Sequence, residues 1–167
     1  RLSIIDHQGG AQPMVLRTPD PTLSLVFNGC IYNHRERRAE LRALGARFTT
    51  DHTDSEVLLH AWMRWDVGMF ARLDGMFALA LFDHRSARLT LARDPYGEKP
   101  LFCSQFFPNS GGLVIAFASS PSPLVQLRAI AMDNPRERDR VVDPGLLAPW
   151  IKHGFGLDTP FTGITSH

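Results

Sequence analysis

The chain has 167 residues, which suits one domain with a substantial buried core. Hydrophobic residues are 44% and charged residues 21%, a globular rather than a disordered composition, and no apolar run approaches the roughly 20 residues that a membrane helix needs. Lys and Arg number 18 against 17 Asp and Glu, a formal net charge of +1, so no strong field points to a nucleic acid or a membrane surface as partner.

The chain opens on Arg1 and a strand-like apolar run over residues 1–5, short and bounded by polar ends. Residues 6–13 are rich in turn formers and read as a loop. Residues 15–20 read as a hairpin-type connection, with Pro19 and Pro21 bracketing Asp20. A second strand is expected over 23–27 (Leu-Ser-Leu-Val-Phe), stopping at Asn28-Gly29, the pair best able to turn a backbone through positive φ. A strand that stops there leaves two donors at its tip, the Asn28 side-chain amide and an unobstructed backbone N–H at Gly29. Two convergent donors suit an oxyanion. Asn-Gly between two periodic segments is nevertheless more often just a turn.

Asn33 can cap a helix over 35–44, with Gly45 as its stop, and the charges of that helix (Arg35, Glu36, Arg37, Arg38, Glu40, Arg42) read as a solvated face. Thr53 with Glu56 three residues later has the spacing of a capping box. Val57, Leu58, Ala61, Trp62 and Trp65 then recur on one face of an amphipathic helix, at whose start Asp54 sits as a favourable charge. A short helix over 69–73 ends at Asp74-Gly75. Residues 77–83 and 88–93 form a hairpin, and the unbroken apolar run Phe77-Ala78-Leu79-Ala80-Leu81-Phe82 marks a strand covered on both faces. A loop over 92–101 contains two prolines and a glycine, and Arg93 with Asp94 is expected to pair and shape it. A last hairpin is expected over 101–107 and 113–118. Residues 134–140 read as charged and exposed, and Pro144 as the first turn of a helix running to about His153. The pattern as a whole is α+β with mostly antiparallel strands.

Two cysteines, Cys30 and Cys103, are too few for a disulfide framework, which makes a reducing cytoplasm the expected compartment. The seven histidines show no His-x-x-x-His spacing, so no metal site is expected, and no glycine-rich stretch matches a phosphate-binding loop.

Phe27-Asn28-Gly29-Cys30-Ile31-Tyr32-Asn33-His34 closely resembles the Phe-Asn-Gly-Glu-Ile-Tyr-Asn-His signature of glutamine-using asparagine synthetases, with Cys30 in place of the usual Glu. Arg1-Leu2-Ser3-Ile4-Ile5-Asp6 followed by Gly10-Ala11-Gln12-Pro13-Met14 resembles the same family. So do Thr53-Asp54-Ser55-Glu56-Val57, the apolar strand from Gly75, and the Arg93-Asp94-Pro95-Tyr96-Gly97-Glu98-Lys99-Pro100-Leu101 loop. The match covers most of residues 1–120 and is weaker over 121–167.

The resemblance implies a class II glutamine amidotransferase domain spanning 1–167, with the four-layer α/β/β/α sandwich of N-terminal-nucleophile hydrolases. It implies that Asn28 and Gly29 form an oxyanion hole. It also implies that Arg1 grips the carboxylate of glutamine, that Leu2, Ile4, Ile5 and Cys30 line the pocket, and that Asp54 binds the α-amino group. In such enzymes the nucleophile is a cysteine at the mature N-terminus, and residue 1 here is Arg. The expectation is therefore a piece cut from a longer chain at both ends, inactive alone for want of that cysteine, whose parent is an asparagine synthetase. That parent would use ATP and Mg2+ in a C-terminal synthetase domain, with no cofactor in the present piece; its oligomeric state is open, a homodimer being one option. An internal Cys30 with no free amine beside it reads as a pocket-wall substitution rather than a nucleophile. Two alternatives stand beside this reading: an amidophosphoribosyltransferase-like class II enzyme, which shares the Arg-Asp-Pro-x-Gly loop, and a non-catalytic glutamine-binding module.

Overall fold

The structure is a computed structural model and describes residues 11–17, 21–133 and 165–166. Its elements are β1 (Met14–Arg17), β2 (Pro21–Ile31), α1 (His34–Ala43), α2 (Asp54–Trp65), a 3-10 helix (Asp66–Arg72), β3 (Gly75–Asp83), β4 (Arg88–Arg93), β5 (Phe102–Phe106), β6 (Val114–Ala118), α3 (Pro121–Ala131) and β7 (Thr165–Ser166). The expected strand at 1–5, the charged stretch 134–140 and the helix from Pro144 lie outside the described residues. Two compact units divide the chain, Arg1–Lys99 and Pro100–His167.

The first unit is built on an antiparallel sheet in the order β1-β2-β3-β4. Its register pairs Leu25 with Leu81, Phe27 with Leu79 and Gly29 with Phe77. Side chains alternate between faces of a strand, so these residues, with Leu23 and Ile31, share one buried face. Helix α2 covers that face: Val57, Leu58, Ala61 and Trp62 join the same cluster, with Trp65 packed against it. Each fully buried Leu or Val side chain contributes about 1.5–3 kcal/mol. Ala78 and Ala80, on the opposite face of β3, are buried as well, so this strand is covered on both sides as its apolar run predicts.

The second unit is a sheet in the order β6-β5-β7 with α3 packed on β5 and β6. Phe106, Ala116 and Leu124 form its buried cluster, and Leu101, Cys103, Ser104 and Ala129 are buried as well. The β5–β6 hairpin falls where the sequence places it. Helix α3 starts with Pro121 at its first position after Ser120, a legitimate opening signal, although residues beyond Pro121 carry no strong periodicity.

Several local expectations are corrected. Residues 15–17, expected within the connection, belong to strand β1, which pairs antiparallel with β2, while residues 18–20 lie outside the described residues. Strand β2 does not stop at Asn28-Gly29 but runs through both to Ile31. Gly29 is there for space rather than for a turn: a Cβ on it would lie 2.1 Å from the Met76 carbonyl oxygen.

Neither predicted cap forms. The Asn33 amide instead donates to the Arg72 carbonyl (2.9 Å) and accepts the Asp74 N–H (3.1 Å), tying the start of α1 to the entry of β3. Glu56 ignores Thr53 and accepts from the backbone N–H and hydroxyl groups of Thr49 and Thr50. Arg38 is not on a solvated face. It is 5% exposed, stacks 4.2 Å over Phe48, donates to the Thr50 and Thr53 carbonyls, and lies 3.9 Å from Glu56.

Candidate active site

The backbone groups of β2 point alternately to its two sides. Even-numbered residues face β3: the Thr22 carbonyl accepts from His84 N–H (3.0 Å) and Tyr32 N–H donates to the Asp74 carbonyl (2.7 Å). Odd-numbered residues face the other side. There β1 pairs with Leu23 and Leu25 and goes no further. Beyond it, side chains take over. Phe27 N–H donates to Gln12 Oε1 (2.9 Å), and Gln12 Nε2 donates to the Phe27 carbonyl (2.8 Å). Ile31 N–H donates to Asp54 Oδ2 (3.2 Å), and His34 Nδ1 lies 2.8 Å from the Ile31 carbonyl. A carbonyl can only accept, so this geometry assigns the His34 proton to Nδ1.

Gly29 lies between these two clamped residues and faces the same edge. On the β3 side its neighbour Phe77 has both backbone groups engaged by Asp94, whose N–H donates to the Phe77 carbonyl (2.8 Å) and whose Oδ2 accepts the Phe77 N–H (3.2 Å). The Gly29–Phe77 pair is therefore a non-hydrogen-bonded one, the closer of the two kinds. Among the described residues nothing bonds the Gly29 N–H, which is directed at the open edge of the strand. The Asn28 and Cys30 side chains alternate with the buried set and stand on the opposite face from α2, both half-buried.

Asp54 occupies the first turn of α2 and is 4% exposed. Burial lifts its carboxyl above the usual range, and this outweighs the opposing help from the Ile31 N–H, from His34 and from the N–H groups of its own helix start. Burial, and secondarily the Asp54 carboxylate, also push the Cys30 thiol up. A thiol pushed up in this way is the opposite of the lowered one that an activated cysteine nucleophile needs. Cys103 is buried in β5.

Asp94 behaves in the opposite way. Burial alone would raise it, but N–H donations from Glu98 (2.9 Å), Lys99 (3.1 Å) and Phe77 hold it below the ordinary carboxylate range. It shapes its loop through backbone groups. No ion pair with Arg93 is present among the described residues, and the Arg93 guanidinium instead lies along Gly97.

The structure thus brings Asn28, Gly29, Cys30 and Asp54 to one end of β2, while Arg1, Leu2, Ile4 and Ile5 lie outside the described residues. Two residues that shape this edge, Gln12 and His34, are not singled out by the sequence. Each belongs to a quoted motif, which is the only signal that could have marked them. A cavity of about 390 Å3 lies along β1, lined in part by Thr49, Thr50, Glu56 and Leu59. Among the described residues there is no group of three or more His, Cys, Asp or Glu able to hold a metal ion, and no helix long and apolar enough to cross a membrane.

Residues 1–141 match the family of glutamine amidotransferase domains. The chain belongs to that family. Asparagine synthetase [glutamine-hydrolyzing] 3 of Bacillus subtilis is 36% identical over 167 residues, covering 98% of this chain and 24% of that protein. A putative asparagine synthetase [glutamine-hydrolyzing] of Mycobacterium tuberculosis (strain H37Rv) is 44% identical over 119 residues, 70% of this chain and 18% of the other. The chain therefore spans about a quarter or less of the length of these relatives. Among solved structures, the glutamine phosphoribosylpyrophosphate amidotransferase of B. subtilis, complexed with ADP and GMP, superimposes with a TM-score of 0.55 at 22% identity. That match covers 73% of this chain and 26% of the other. The fold is accordingly the α+β fold of N-terminal-nucleophile amidotransferases.

Proposed function

We propose that this chain is the glutaminase domain of a glutamine-hydrolysing asparagine synthetase, and that it binds glutamine and releases ammonia from its side-chain amide. The observation that carries the reading is 36% identity to such an enzyme over 98% of the chain, joined to a strand edge where, among the described residues, nothing bonds the Gly29 N–H. Amide hydrolysis needs a nucleophile, a base and a place for the oxyanion. In this reading the nucleophile is a cysteine at the mature N-terminus of the complete protein, and its own amine is the base. The thiolate attacks the glutamine carboxamide carbon. The tetrahedral oxyanion is held by the Asn28 amide and the Gly29 N–H. Collapse expels ammonia and leaves a thioester, which water hydrolyses to glutamate and the free thiol.

Arg1 binds the glutamine carboxylate through its planar fork, Asp54 binds the ammonium, and Leu2, Ile4, Ile5 and Cys30 line the pocket. The ammonia serves a C-terminal synthetase domain of the same protein, where ATP and Mg2+ activate aspartate. The fold neighbour's phosphoribosyl chemistry is not preferred, because that likeness is one of fold alone, whereas the relatives named as asparagine synthetases match in sequence.

The test is made on the complete native chain, by N-terminal sequencing with a glutaminase assay. A terminal cysteine and glutamate release are expected. A native chain with no such cysteine that binds glutamine without turnover would replace this reading with that of a binding module.

A further inference from the structure

We propose that Gln12 is a positioning residue of the glutaminase reaction: its side-chain amide stands in for a neighbouring strand on the Phe27 peptide and fixes the edge from which Gly29 offers its N–H. The inference rests on the proposed function.

The argument starts from where the sheet runs out. Strand β1 covers β2 as far as the Met14–Leu25 pair. The next outward-facing peptide groups of β2 belong to Phe27 and the ones after that to Gly29. Had β1 continued as a strand, its ladder would have reached Phe27 and then engaged Gly29 as well, since a strand bonds every second residue. Ending β1 at Met14 and leaving Phe27 bare would free Gly29 but loosen the backbone just before Asn28. Gln12 solves both problems. Its primary amide carries an acceptor and a donor side by side, and both are used on Phe27, at 2.9 and 2.8 Å. A side chain cannot propagate a ladder, so this pairing stops after one residue and, among the described residues, Gly29 stays open.

The contact also lies where it matters for direction. The Phe27 carbonyl belongs to the peptide plane whose nitrogen is that of Asn28. Holding it sets the orientation of that plane, and the rotation about Asn28 then sets both the Gly29 N–H and the root of the Asn28 side chain. Asp54 and His34 do the same on the far side, at Ile31. The proposed oxyanion donors are thus strung between two clamped peptides. Oxyanion donors act because they are fixed in advance, and a displacement on the order of 1 Å can cost about 10²-fold in rate. The proposed function places the two charged ends of glutamine on Arg1 and Asp54, so the effect expected of Gln12 falls on turnover and not on binding.

The experiment uses the complete native chain with Gln12→Met, which keeps the length of the side chain and removes both bonds. It is paired with Gln12→Glu, which keeps an acceptor for Phe27 N–H and sets a negative charge against the Phe27 carbonyl. Glutamine turnover is measured together with inhibition by glutamate and by the aldehyde analogue of glutamine, whose adduct with the thiol carries the oxyanion. In both variants kcat falls about tenfold or more, the glutamine KM and glutamate inhibition stay within about twofold, and the aldehyde weakens in step with kcat. A role confined to folding would lower the yield of active sites without weakening the aldehyde. Wild-type hydrolysis with either variant unchanged, or a kcat loss at constant aldehyde affinity, overturns the proposal alone. A complete wild-type chain that releases no ammonia overturns the glutaminase reading, and this role falls with it.

Discussion

Asp54 and Asp94 are buried carboxylates bonded to the two outer edges of the β2–β3 pair, and their surroundings drive them in opposite directions. Asp94 accepts from three backbone N–H groups, of Phe77, Glu98 and Lys99, and stays ionised below the usual range. Its stabilising contribution is therefore fully present above the unfolded carboxylate value and is lost as pH falls through the lower, folded one. Replacing it with Ala strands three donors, of which those in the loop partly regain water. A loss of about 3 kcal/mol in urea unfolding at neutral pH is expected, shrinking in acid; a loss constant down to acid pH would sink this account.

Asp54 is raised, so its ionised form costs the fold stability. That cost appears as pH rises past the unfolded value and is complete above the folded one. Asp54→Asn keeps an acceptor for Ile31 N–H and removes the charge. The expected result is an equal or higher Tm with a glutamine KM in the complete chain raised by about tenfold or more. A lower Tm with unchanged KM would assign Asp54 a structural role instead. Gly29→Ala tests the same edge by volume, since the added Cβ meets the Met76 carbonyl at 2.1 Å. About 3 kcal/mol or more of stability should go with it, read from the urea midpoint.

At the scale of elements, the connection between α1 and α2 hangs on Glu56. Four donors from Thr49 and Thr50 converge on its carboxylate, and Arg38 lies beside it. Burial acts to raise Glu56, and those hydrogen bonds more than reverse it. Glu56→Ala leaves Arg38 buried beside an empty space and should cost about 3–5 kcal/mol, measured by chemical denaturation. A cost under about 1 kcal/mol would mean that the loop is held by other contacts.

Glu56 also shows what a sequence conceals. The apolar stripe of α2 and the unbroken run of β3 were readable, because they are local patterns answered by a nearby face. The spacing of Thr53 and Glu56 was just as visible, yet a partner seven residues upstream won the carboxylate. Asn33 likewise left its helix for Arg72 and Asp74. Asn28-Gly29 looked like a turn because Gly permits one; here Gly answers the close approach of Met76 and Phe77, which no local window contains. The grouping of Asn28, Gly29 and Asp54 was legible only through the motif, and Gln12, though it lies within a quoted motif, shows what it bonds only in the structure.

Across the whole molecule, stability is unevenly divided. The first unit buries a continuous cluster that includes Leu23, Leu25, Phe27, Ile31, Leu58, Trp62, Leu79 and Leu81, several of them with no exposed surface. In the second, the described core is smaller, a cluster of Phe106, Ala116 and Leu124 with Leu101, Cys103 and Ala129 also buried, while Phe107 and Ile130 are 70% and 67% exposed. Buried apolar area sets the free energy of local opening, so the two units should open at different costs. Native-state hydrogen exchange tests this amide by amide. Protection in β2 and β3 is expected to approach the global unfolding free energy, with β5, β6 and α3 exchanging through smaller openings. That order would place the Gly29 edge on the most persistent part of the molecule, which oxyanion preorganisation demands. If β2 instead exchanged as fast as β5, the edge would be mobile in the free domain, and its geometry would have to be completed by glutamine itself.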